Sequence, residues 1–89
     1  MPIELDRPYA LDPQVALRPE RFGALAYHFG TRRLSFLKSR PLLQIVESLD
    51  DQPSARAACT AAGIPTEELP RYATALGTLA DTGMIKERG

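Results

Sequence analysis

The stretch RRLSFLKSRPLLQIVESL, residues 32–49, changes its period at Ser39, and that change decides the fold. Before Ser39 the side chains alternate. Leu34 and Phe36 share one face and Ser35 and Leu37 the other, as in a β-strand. After it, Leu42, Ile45, Val46 and Leu49 recur at helical spacing and form one apolar stripe. Ser39 suits the cap of that helix, and Pro41 is tolerated in its first turn. A strand therefore runs directly into a helix.

Upstream, two more strands lead into this one. Val15 and Leu17 alternate with Gln14, Ala16 and Arg18. Arg18-Pro19-Glu20-Arg21 reads as a turn. In GALAYHF, residues 23–29, Leu25, Tyr27 and Phe29 are expected to face the core, with Ala24, Ala26 and His28 opposite. Gly30-Thr31 reads as a short hairpin connection, glycine supplying the positive φ. These strands predict a three-stranded antiparallel meander. Downstream, Asp50-Asp51-Gln52-Pro53 ends the first helix. Ser54 caps an alanine-rich second helix that stops at Gly63. Thr66 is the expected cap of a third, with the stripe Leu69, Tyr72, Ala73, Leu76, Leu79 and Ala80 and a stop at Gly83. Met84 and Ile85 are expected to fold back onto the core.

Strands followed by helices predict an α+β domain, winged-helix-like, with helices on one face of the sheet. Residues 1–14 hold Pro2, Pro8 and Pro13 and read as a proline-rich arm without regular structure, with Tyr9 and Leu11 available to pack on the domain. Residues 15–89 form that domain, and 89 residues suffice for only one.

Chemistry-bearing residues are few. His28 and Cys59 are the only histidine and cysteine, so neither an intrachain disulfide nor a four-ligand zinc site can form. Cys59 reads as inert filler on a small-residue stripe, and His28 as a solvent-facing residue. Asp50-Asp51 sits at a helix stop and Glu67-Glu68 at a helix start, both ordinary places for carboxylates. No phosphate-binding glycine motif occurs. The sequence calls for no catalytic residue, metal or cofactor. It has no apolar run of membrane-spanning length and no signal-peptide pattern, and reads as cytoplasmic.

A helix-turn-helix spacing, Cys59 to Leu69, raises a winged-helix DNA-binding alternative. Glu67 and Glu68 at the start of the recognition helix oppose it. Residues 47–81 hold six acids and two bases, a net charge of −4, which phosphate would repel. By contrast, Arg21, Arg32, Arg33, Lys38 and Arg40 stand between residues 21 and 46 with no acid among them. Two readings stay open. Basic residues on an edge strand discourage pairing with other chains, or they prepare the edge for an acidic partner strand. Self-association through the same edge is a further outcome.

Three strands, three helices and a basic third strand resemble the PqqD-like peptide recognition domains that serve ribosomally made, modified peptides. RPERFGALAYHFGTRRLSFLKSRPLLQIVESL, with AAGI and LADTGMI beyond it, is similar more specifically to the small chaperones of the mycofactocin pathway. The resemblance implies no catalysis by this chain. It implies instead an acidic precursor peptide bound as an added strand and a radical S-adenosylmethionine maturase that receives it. It places the peptide on Arg32, Arg33, Leu34, Ser35, Phe36, Leu37 and Lys38, beside a shoulder of Arg71, Tyr72, Ala75 and Leu79. Phe36 or Leu37, with Tyr72 and Leu79, would form its apolar pocket. Phe36 and Leu79 also read simply as core residues.

Overall fold

The computed structural model describes residues 3–88; Met1, Pro2 and Gly89, and with them the first residues of the expected arm, lie outside the described residues. The elements are β1 (Tyr9–Leu11), β2 (Val15–Glu20), β3 (Gly23–His28), β4 (Leu34–Leu37), α1 (Arg40–Ser48), α2 (Ala55–Ala61), α3 (Leu69–Asp81) and β5 (Ile85–Glu87). Short 3-10 turns at Leu49–Asp51 and Thr66–Glu68 precede α2 and α3. The domain is α+β. The expected meander is the antiparallel sheet β2-β3-β4, and three helices follow it. β1 and β5 form a second, two-stranded antiparallel sheet.

β3 faces the opposite way from its sequence reading. Ala24, Ala26 and His28 are buried, whereas Phe29 is 62% exposed and Leu25 and Tyr27 are half-buried on the outer face. Alternation says which residues share a face but not which face turns inward. Here the helices take the side with the small residues. Ala24 and Ala26 leave room for the α1 stripe of Leu42, Ile45 and Val46 to close on the strand.

The turns also differ in detail. Pro19 lies inside β2, opposite Ala24, and the hairpin turns at Arg21-Phe22. The Phe29 N–H donates to the Gln14 carbonyl at 2.9 Å. Hydrogen-bonded pairs alternate from there, so the Pro19 nitrogen faces away from β3. The missing donor therefore interrupts no internal bond on this edge strand. At Gly23 a Cβ would stand 2.0 Å from the Leu37 carbonyl oxygen, so only glycine fits where the hairpin crosses the end of β4. Between β3 and β4 the connection is longer than expected. Its positive φ belongs to Arg32, at 63°, and not to Gly30.

Ser39 and Ser54 cap α1 and α2 as expected, accepting from the N–H groups of Leu42 and Ala57 at 3.2 and 3.1 Å. Thr66 does not cap α3. It opens a 3-10 turn, and α3 starts at Leu69, because Pro70 has no N–H to donate and is tolerated only in a first turn. Gly83, at φ 80°, ends α3, and the Met84 N–H returns to the Leu79 carbonyl at 2.9 Å. Met84 and Ile85 are buried, as the sequence suggests.

The proline-rich segment carries regular structure, because it has partners. β1 pairs with β5, and Tyr9 is buried. The carbonyls of Arg7 and Leu5 accept from the N–H groups of Ala55 and Arg56 at 3.0 and 2.7 Å, satisfying donors that the start of α2 would otherwise leave open. The Arg88 guanidinium donates to the carbonyls of Tyr9, Leu49, Asp50 and Gln52. One cation thus ties β1 to the negative end of α1. Arg88→Ala should lower stability by about 1–3 kcal/mol, read as a lower urea midpoint at unchanged slope.

Candidate functional site: the open edge of β4

β4 pairs with β3 on one side only. The His28 N–H donates to the Arg33 carbonyl at 2.9 Å, which sets the phase of the ladder. Ser35, opposite Ala26, and Leu37, opposite Ala24, turn their backbone groups toward β3. Leu34 and Phe36 turn one N–H and one C=O each the other way, into the open edge.

The loop that enters β4 is held by a buried histidine. His28 is 7% exposed, not solvent-facing as alternation suggested. Its Nδ1 accepts from the N–H groups of Gly30 and Thr31, both at 3.0 Å. The missed signal is local: a histidine at a strand end followed by Gly-Thr can fold its ring onto the turn. Asp12 stands on its other side, with Oδ1 3.6 Å from His28 Nε2 and Oδ2 3.5 Å from Lys86 Nζ. This anchoring leaves Arg32 and Arg33 exposed at the head of the edge.

Below the edge, β4 and α3 diverge around a cleft of about 400 Å³ lined by Ser35, Phe36, Lys38, Leu42, Ala75, Thr78 and Leu79. A smaller recess of about 130 Å³ adjoins it, between Lys38, Ser39, Leu42, Arg71, Tyr72 and Ala75. Seven of the residues singled out from sequence therefore meet at one place: Ser35, Phe36, Lys38, Arg71, Tyr72, Ala75 and Leu79. Phe36 is 56% exposed, which overturns its core reading; Leu79, at 4%, forms the floor. Leu37 is fully buried in the core and contributes no side chain to the cleft. Leu34 lies on the outer face, 53% exposed. Leu42, Ser39 and Thr78 escaped the sequence reading as site residues. Thr78 follows Ala75 at i+3, a spacing that places both on one face of α3. Leu42 serves both the helix stripe and the cleft, and spacing points only to the first.

The electrostatics are one-sided. Among the described residues no ion pair engages Arg32, Arg33 or Lys38, whereas Arg71 is held by Glu68 at 3.5 Å and lies 6.0 Å from the centre of the Tyr72 ring. Among the same residues no cluster of His, Cys, Asp or Glu could hold a metal ion, and no helix is long and apolar enough to cross a membrane. Cys59 is buried, and burial pushes its thiol up from the usual range.

A basic open strand beside an apolar helix-lined cleft is a surface suited to holding an extended chain, and comparison with known proteins is in keeping with it. Residues 8–86 match the Peptide chaperone MftB family, and the chain belongs to that family, one of chaperones and not enzymes. Peptide chaperone MftB of Mycobacterium ulcerans (strain Agy99) is 55% identical over 80 residues, spanning 90% of this chain and 73% of the relative. The protein of the same name from Mycobacterium tuberculosis (strain ATCC 25618 / H37Rv) is 52% identical over 83 residues, spanning 93% and 76%. That of Mycolicibacterium smegmatis (strain ATCC 700084 / mc(2)155) is 51% identical over 80 residues, spanning 90% and 78%. No solved structure matches the chain. These relatives give no support to the DNA-binding alternative.

The Asp12 carboxyl is held below the usual carboxylate range, chiefly by the Gln14 N–H at 2.8 Å, and further by Lys86 and His28. A lowered folded value means that Asp12 adds stability above about pH 4, and that this stability is lost as pH falls through the folded value. Between pH 7 and pH 3 the urea midpoint should therefore fall more for the parent chain than for Asp12→Asn.

Proposed function

We propose that this chain captures an acidic precursor peptide as an added strand on β4 and presents it to a radical S-adenosylmethionine maturase in mycofactocin biosynthesis. The observation that carries the reading is the outward-facing backbone of Leu34 and Phe36 directly above an apolar cleft. A peptide paired there completes the ladder, and every second side chain points into the cleft between Leu42, Ala75 and Leu79.

Magnitudes assign the roles. Each ladder bond contributes about 0.5–1.5 kcal/mol. Ordering an extended segment costs about 2–5 kcal/mol. A short ladder therefore roughly cancels the ordering cost. Net affinity then comes from the cleft, where burying one large apolar side chain contributes about 1.5–3 kcal/mol. Arg32, Arg33 and Lys38, exposed beside the edge, raise the rate at which an acidic peptide arrives more than they raise the final affinity.

Two variants test these roles separately. Leu34→Pro removes an outward N–H and no bond to β3. It should weaken peptide capture, measured by calorimetry, by about tenfold relative to Leu34→Ala. Equal affinity for the two variants would remove strand addition. Changing Arg32 and Arg33 together to glutamate should leave the melting temperature within a few degrees and slow peptide association about tenfold at low salt. An unchanged rate across a salt titration would remove the steering role. Light scattering without peptide reveals whether a second copy competes for the edge.

A further inference from the structure

Among the described residues, the large apolar side chains that the domain leaves well exposed lie on one surface. Phe22, Phe29, Leu34 and Phe36 are 45–62% exposed. Register places Leu34 opposite Tyr27 and Phe36 opposite Leu25 on the outer face of β2-β3-β4. The rings pack against each other. Phe22 and Phe36 stand 6.1 Å apart, and Tyr27 and Phe29 5.2 Å apart, edge to face. A depression of about 410 Å³ opens between Phe22, Phe36 and Lys38. A contiguous aromatic patch of this kind on a small soluble domain marks an interaction surface.

Its border says what covers it. Arg18 lies on this face opposite Leu25, and Arg32, Arg33 and Lys38 flank β4. The nearby carboxylate, Glu20, is already bonded to Arg18 at 3.1 Å. Two copies meeting through this face would set one basic border against another, which disfavours a symmetric dimer. The chain's net charge of zero gives weak long-range attraction to an anionic bilayer. A protein carrying an apolar patch edged by carboxylates meets both conditions.

The patch is also continuous with the open edge, since Leu34 and Phe36 belong to both. A strand added to β4 would turn its other alternate side chains onto this face and extend it. We propose that the outer face of β2-β3-β4 is the docking surface for the maturase, which reads chain and captured peptide as one composite sheet. This rests on the strand-addition reading above, and it assigns the surface on which the third component sits. Reciprocity follows: if the enzyme touches both, peptide tightens enzyme binding and enzyme tightens peptide binding by the same factor.

Phe29 allows the two ideas to be separated, because it lies on the patch, bonds its N–H toward Gln14 and not toward β4, and lines neither the cleft nor its recess. Phe29→Glu is compared with the parent chain, using purified maturase and labelled precursor peptide. Peptide affinity, measured without enzyme by fluorescence anisotropy, should stay within about twofold. Association of the chain–peptide complex with maturase, followed by interferometry, should weaken at least about tenfold. Phe29→Ser carries the test if the glutamate variant loses its circular dichroism spectrum. Unchanged maturase association overturns the proposal. So does equal loss of peptide affinity, which would place the face within the peptide site. A parent dimer in sedimentation that Phe29→Glu dissociates would make the occupant a second copy. Retention of the parent but not the variant on phosphatidylglycerol–phosphatidylcholine vesicles would make it a membrane. A parent chain that binds maturase through Phe29 yet shows no β4 amide shifts with peptide would defeat strand addition while leaving the docking face standing.

Discussion

Ala24 and Ala26 present methyl groups to α1, and the helix stripe of Leu42, Ile45 and Val46 closes on them. Much of the remaining arrangement follows from that contact. Because the small side chains turn inward, their larger neighbours Leu25 and Tyr27 turn outward. Because α1 sits over the alanines and leaves β4 within two residues, its first turn brings Leu42 beneath the open edge. α3 then supplies the far wall with Ala75, Thr78 and Leu79. A long residue at position 24 or 26 would separate helix from sheet and dissolve the cleft as well as the core.

The opposite end of the domain is closed as thoroughly as β4 is open. β1 and β5 pair with each other, the segment before β1 satisfies the start of α2, and Arg88 satisfies the end of α1. Backbone groups there are consumed internally, which is what a small domain with little core requires. The contrast gives the surface its division: polar backbone is available at β4, and exposed apolar side chains lie on the sheet's outer face.

Much of this was legible in the sequence, for local reasons. The switch from alternation to helical spacing at Ser39, the serine caps and the glycine stops all act within a few residues, and the structure contains each of them. The α3 stripe also follows from periodicity, whereas the gathering of Tyr72, Ala75 and Leu79 near β4 was implied only by the resemblance to peptide recognition domains. Part of what escaped depends on partners far along the chain, and part on local rules in competition. The inward face of β3 is chosen by α1, not by β3. The strand at Tyr9–Leu11 exists because Ile85–Glu87 lies beside it. His28 is buried because the turn after it folds onto its ring. Thr66 lost its capping role to Pro70, a conflict of two local rules that the rigid ring decides.

Pro19 gives the sheet a direction. Its nitrogen faces outward on β2 and carries no hydrogen, so that margin lacks a contact that the margin at Leu34 and Phe36 retains. Copies of this domain stacking front to back would need one margin to meet the other at every step, and each step would lack the hydrogen bond that Pro19 cannot donate. That missing donor disfavours propagation of the sheet through its β2 margin, which works against growth into a fibre while the β4 margin stays open.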